Sequence, residues 1–159
     1  MLSILSRKIM NYKYRKLIIL FGFLFFPIGV WLNNLFNRSN TFPPFLVVNL
    51  ACLIIWAVIS FLIKSEKISD TSILLHMHAV PAIFLIFTVY QEFVTASFLT
   101  SIGRITQLYY LPLSWLTLPL PKNSLSLNYL SSFLTLISFC YIGIKCKILF
   151  TNYKEISNY

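Results

Sequence analysis

Residues 45–63 read FLVVNLACLIIWAVISFLI, an unbroken apolar run without a charged side chain. At 1.5 Å per residue, about 20 helical residues cover a hydrocarbon core of about 30 Å. Three further stretches of this kind flank it, at residues 17–36, 72–91 and 129–149. Composition agrees: 58% of the 159 residues are hydrophobic, 17% aromatic and 11% charged, too little charge to clothe a water-soluble domain of that size. The sequence predicts an all-α membrane protein with four transmembrane helices in a bundle. It forms one transmembrane domain over residues 1–159, because the arm, tail and connections leave no length for a second folded unit.

Charge orients the spans. Arg7, Lys8, Lys13, Arg15 and Lys16 precede the first, Lys64 and Lys67 lie between the second and third, and Lys145, Lys147 and Lys154 end the fourth. Arg38, Arg104 and Lys122 are the basic residues on the other side. The positive-inside rule then predicts that both termini and the 64–71 connection are cytoplasmic. The net charge of +9 is explained by this asymmetry, so its expected partner is anionic lipid of the inner leaflet, with no direct role for nucleic acid. The first span has a basic lead but an apolar core too long for a signal-peptide h-region, and no small-x-small cleavage site; the expectation is a retained anchor. Cys52, Cys140 and Cys146 fall in or beside apolar runs on no zinc spacing, so neither a disulfide nor a metal site is expected.

The connections differ in kind. Residues 1–16 mix Leu2, Ile4, Leu5 and Ile9 with basic side chains, as an amphipathic segment on the inner leaflet or a basic tether would. Phe42-Pro43-Pro44 closes a short first connection, and Ser69 and Asp70 offer N-caps after an equally short second one. Residues 92–128 form a long segment, too apolar for an ordinary loop and too broken by Pro112, Pro119 and Pro121 to span. Tyr109, Tyr110 and Trp115 are residue types that settle at headgroup level. The expectation is a third helix running somewhat past the membrane, then an outer interfacial or re-entrant lid.

At helical spacing each span offers a small or polar stripe: Gly22, Phe26, Gly29 and Asn33; Asn49, Cys52, Trp56 and Ser60; His78, Ala82, Leu85, Val89 and Glu92; Asn128, Ser131, Thr135 and Ser138. In lipid, close approach and buried hydrogen bonds bring helices together, so these stripes are expected to seal a four-helix bundle or a homo-oligomer. His76 and His78 point about 200° apart on a helix and so do not form a chelating pair; a hydrogen bond between helices, or titration near neutrality, suits a histidine there. Glu92 is the acid on the outer side, and an acid at a membrane edge needs a partner or water. Arg104, twelve residues on, could close a salt bridge with it; on the other reading Glu92 marks the boundary of the third helix. Pro27 and Pro81 should kink the first and third helices.

With two histidines and four acids, and no nucleophile elbow, zincin or phosphate-loop motif, the chain is expected to be non-enzymatic and without a cofactor. Three classes fit: a membrane subunit that senses for or anchors a cytoplasmic effector, an oligomeric pore or transporter, and a toxin or bacteriocin immunity protein. In size, span number and short cytoplasmic connections, residues 64–71 among them, the chain resembles the small four-span membrane subunits of bacterial phage-defence operons of the Kiwa type. That resemblance implies a bacterial inner-membrane protein paired with a cytoplasmic effector. It rests on architecture and carries over no functional residue.

Overall fold

A computed structural model describes residues 16–38, 45–65, 68–95, 101–113 and 124–156. The basic arm before Lys16, Phe42-Pro43-Pro44, Lys67, Trp115, Pro119, Pro121 and Lys122 lie outside the described residues. What is described is helical, with no strand, and four helices are long and apolar enough to cross a membrane. We number α1 over Lys16–Arg38, α2 over Phe45–Ile63, α3 over Asp70–Tyr90, α4 over Ser101–Tyr110 and α5 over Leu125–Ile156. The third helix continues through a π-turn, Gln91–Thr95, and α5 begins four residues before the expected span. Helix is the form in which an isolated segment satisfies its own backbone in hydrocarbon. The outward residues suit that solvent: Leu20, Leu62, Leu75, Ile86 and Leu149 are exposed without polar cover.

Local chemistry starts and breaks the helices. Ser69 accepts from the Ser72 N–H at 3.2 Å and caps α3, while Asp70 in its first turn complements the helix dipole. Asp70 also receives Lys64 Nζ at 2.6 Å and Lys145 Nζ at 3.8 Å, and Lys64 donates to the Ile68 carbonyl at 2.9 Å. One carboxylate thus ties the α2–α3 connection to α5. In α1, Pro27 has no N–H for the Phe23 carbonyl, and Phe26 N–H donates there instead at 3.1 Å. The helix loosens into a turn at Phe23 and Leu24 as a result.

Packing is tightest where a side chain is missing. At Gly143 of α5, a methyl group would collide with the Ala57 carbonyl and Ser60 hydroxyl of α2. Ser60 shares its proton between Ala57 O (2.8 Å) and Cys140 O (3.0 Å), bonding α2 to α5 across that contact. Gly29 of α1 lies against the Leu108 carbonyl of α4, and Gly22 against Val80 of α3. Met77 O, the carbonyl whose helical donor position is taken by Pro81, faces Gly22, 3.6 Å from where its Cβ would stand. Cys140 donates to Met77 Sδ at 3.6 Å, joining α5 to α3.

The buried lines match the expected stripes on α2 and shift elsewhere. Asn49, Cys52, Trp56 and Ser60 are all buried. On α1 the buried positions are Ile18, Gly22, Phe25, Gly29 and Leu32, with Asn33 half-buried. On α3, Ile73, Met77, Val80, Thr88 and Gln91 face inward along with His78, while Ala82 is half-buried and Val89 exposed. On α5 the inward line is Tyr129, Ser132, Leu136, Cys140 and Ile144, displaced by one residue, and by two at Cys140, from the expected Asn128, Ser131, Thr135 and Ser138. Ser131, Thr135 and Ser138 instead donate to carbonyls of their own helix, at Asn128, Ser131 and Leu134. A hydroxyl satisfied in this way does not have to face a neighbouring helix.

The glycine contacts can be ranked. Gly143→Ala and Gly29→Ala each drive a methyl into a main-chain carbonyl that cannot rotate away, and should cost about 1–3 kcal/mol each. Gly22→Ala meets Val80 Cβ at 2.9 Å and Cγ2 at 3.0 Å and should cost less, because the overlap is smaller than at the two carbonyls. Reversible unfolding in mixed micelles measures the order, and a Gly22→Ala loss as large as the others would refute it.

Candidate functional site

The centre of the fold is a closed circuit of rings. Phe25 of α1 packs on Trp56 of α2 at 4.9 Å, and Trp56 meets His78 of α3 at 5.9 Å. His78 meets Phe133 of α5 at 5.8 Å. From the other side, Phe25 meets Tyr109 of α4 at 5.9 Å, Tyr109 meets Tyr110 at 5.2 Å, and Tyr110 stacks on Tyr129 of α5 at 4.6 Å. Phe84 of α3 stacks on Tyr109 at 4.3 Å. Tyr129 and Phe133 are one helical turn apart, so the circuit closes on α5 after touching every helix. Such ring pairs add about 0.5–1.5 kcal/mol each beyond the area they bury.

Helix α4 supplies the two central rings, and this corrects the expectation for them. Tyr109 and Tyr110 are fully buried, not set at headgroup level. The Tyr109 hydroxyl donates to the Gly22 carbonyl at 2.7 Å, and the Tyr110 hydroxyl donates to the Pro81 carbonyl at 2.7 Å. Pro81 lies about 16 Å along α3 from Asp70 and about 20 Å from Val94, at mid-height. The C-terminal end of α4 therefore lies among the spanning helices at half their length. Gly22 O is the carbonyl that loses Phe26 N–H when α1 breaks ahead of Pro27. Tyr109 thus meets the backbone of α1 at its break, and Tyr110 meets the carbonyl of the proline inside the continuous α3.

The turn after α4 is held as well. Leu111 N–H donates to Gln107 O at 2.9 Å, Leu113 N–H to Tyr110 O at 2.9 Å, and the Ser132 hydroxyl of α5 shares its proton between Leu113 O (3.2 Å) and Asn128 O of its own helix (3.0 Å). Irregular backbone at this depth persists where protein surrounds it, and Leu111 N–H, Leu113 N–H and Leu113 O are paired accordingly.

Glu92 and Arg104 do not pair. Arg104 is exposed on α4. Glu92, re-aimed by the π-turn, accepts from the Ser126 N–H at 2.7 Å in the first turn of α5. Ser124, the residue before that helix, meets the Leu127 N–H at 3.4 Å and Ser126 Oγ at 3.0 Å. A carboxylate on free N–H groups at a helix start is a charge-assisted cap. It binds the end of α3 to the start of α5 and closes the 34-residue separation between Glu92 and Ser126.

The histidines separate as helical geometry requires. His76 is half-buried and its Nδ1–H donates to Ser72 O at 2.7 Å. His78 is buried, its Nδ1–H donates to Leu74 O at 2.8 Å, and its Nε2 accepts from Trp56 Nε1–H at 3.4 Å. Because a carbonyl can only accept, these contacts fix the neutral Nδ1–H tautomer for His78. Among the described residues no group of three His, Cys, Asp or Glu side chains gathers. Asn49 is fully buried with neither amide atom hydrogen-bonded.

Two measurements follow from this geometry. Tyr109→Phe and Tyr110→Phe keep the rings and remove the hydroxyls, so each should lower resistance to unfolding by about 0.5–1.5 kcal/mol. Their effects should be non-additive because the rings touch, and strict additivity in a double-mutant cycle would refute the coupling. Asn49→Leu removes an unbonded buried amide and should raise stability by about 1–3 kcal/mol in the same assay; a loss would show that the amide is used.

Compared with family models, curated proteins and solved structures, the chain has no match.

Proposed function

We propose that this chain is a non-enzymatic integral subunit of a bacterial inner-membrane complex, with both termini cytoplasmic. On this reading it senses at its outer half and anchors a cytoplasmic effector at its basic end. The observation that carries the proposal is the insertion of α4. A short helix reaches mid-height and hydrogen-bonds the backbone of α1 at its break and that of α3 at Pro81. In the bilayer α4 is then a re-entrant element, continuous with the outer segment and in contact with α1, α3 and α5. A displacement of that segment would reach helices that emerge on the opposite face, which suits signalling better than passive anchoring.

Charge supports the orientation. Lys64 and Lys145 converge on Asp70, with Lys147 near them over the Phe61 ring at 4.9 Å. Together with the basic arm and tail, this end offers a surface for acidic protein and anionic lipid. The filled centre argues against conduction along the axis of one chain, since Phe25, Trp56, Tyr109 and Tyr110 occupy it. Phage defence is the setting that the architectural resemblance favours.

Affinity purification in mild detergent from the native host tests the core of the proposal: a stoichiometric soluble partner is expected, and the chain recovered alone would overturn it. A C-terminal green fluorescent protein fusion should fluoresce and a phosphatase fusion should stay inactive, with the opposite pair refuting the topology. Liposomes holding the purified chain should remain tight to ions. A leak altered by Glu92→Gln would favour the pore instead.

A further inference from the structure

The most specific polar contact in the core is the one between Trp56 and His78, and it exists in one protonation state only. Nδ1–H is committed to Leu74 O of its own helix, which leaves Nε2 as the acceptor for Trp56 Nε1–H. Add a proton to Nε2 and two donors confront each other, because indole nitrogen can only donate.

We propose that His78 is a proton-operated switch that changes its hydrogen bonding, holding α3 to Trp56 of α2 when neutral and releasing that bond when protonated. The proton comes from the aqueous phase and adds to the Nε2 lone pair; no other bond is made or broken covalently. The location gives the change mechanical reach. His78 sits one turn before Pro81, whose carbonyl Tyr110 holds. Trp56 packs on Phe25, which packs on Tyr109. Losing the Trp56 bond therefore unlocks the ring circuit beside the proline hinge and next to α4.

The surroundings leave the imidazole as the group that titrates. Trp56 from α2, Phe133 and Leu136 from α5 and Leu74 from α3 face it, and none carries charge. The other titratable side chains of this core are Cys52 on α2, Tyr109 and Tyr110 on α4, and Tyr129 and Cys140 on α5. Their ordinary ionisation lies well above the imidazole range. The charged group nearest along α3 is Asp70, about 12 Å down the helix and already paired with Lys64 and Lys145.

Trp56 fluorescence reads the switch directly, since an imidazolium in contact with indole quenches it. The full chain in detergent or liposomes, carrying Trp31→Phe and Trp115→Phe, keeps Trp56 as its sole tryptophan. As the pH is lowered from about 8 through and below the imidazole range, emission should fall reversibly along a single-site curve. His78→Gln preserves an acceptor for Trp56 but cannot titrate, and should abolish the fall; His76→Gln should leave it intact. Emission that does not change, or a fall that persists in His78→Gln, would overturn the proposal. Should His78→Gln fail to fold, imidazole 15N spectra of the unsubstituted chain decide. They should show the Nδ1–H tautomer at neutral pH and both nitrogens protonated in acid. An Nε2–H tautomer, or a ring still neutral at the acid end, would refute the switch. Neither measurement depends on a cytoplasmic partner.

Discussion

A carbonyl without a donor has no water to turn to inside hydrocarbon, and two prolines create that problem in this fold. Pro27 shifts the hydrogen-bond ladder of α1 so that Gly22 O loses Phe26 N–H, and Pro81 leaves Met77 O without its helical donor. Tyr109 reaches in from α4 to Gly22 O and supplies the donor that α1 lost, Tyr110 bonds the Pro81 carbonyl one turn past Met77 O, and Gly22 brings α1 close against Met77 O. Once those two hydroxyls are fixed, the place of α4 is fixed. So is the need for Gly29, because no side chain fits between α1 and the Leu108 carbonyl.

The ring circuit follows from the same constraint. Two tyrosines drawn to mid-height bring their faces against Phe25, Phe84 and Tyr129, and these in turn extend to Trp56, His78 and Phe133. Apolar burial offers little drive between helices that already lie in lipid. Ring contacts, close backbone approach and a few buried hydrogen bonds take its place. Polar stitches hold the two ends: Asp70 with Lys64 and Lys145 at one, Glu92 on the first turn of α5 at the other.

Span number and helix type were legible because hydrocarbon thickness sets them, and α2 was legible to the residue. On α2 the polar positions Asn49 and Ser60 are also the buried ones. On α5 the same rule pointed one or two residues off, since Ser131, Thr135 and Ser138 serve their own helix while Ser132 and Gly143 meet the neighbours. Gly143 was absent from the expected contacts, although a glycine one turn beyond a run of aromatic and apolar residues is the signal for it. Glu92 was singled out for the right reason, an acid needing a partner, but the partner is a helix start and not Arg104. Tyr109 and Tyr110 were read as surface anchors because a tyrosine satisfies both roles by composition. The discriminating signal lay elsewhere in the chain, in the two prolines and the donors they require.

The proposed sensing role and the proton switch meet at one structural fact. Helices α2 and α3 come together through the pair of Trp56 and His78, and the ring circuit carries that contact to α4 through Phe25 and Tyr109. A change at α4 and a change at His78 thus act on the same small set of rings, from opposite directions along the circuit. Close-packed cores answer such changes by moving between discrete arrangements and not by bending gradually. The bond from Trp56 to His78 is the weakest polar link in the circuit by length, at 3.4 Å against 2.7 Å for each tyrosine hydroxyl. If the fold has a second arrangement, that link is where the two diverge, and the tyrosine bonds are what both retain.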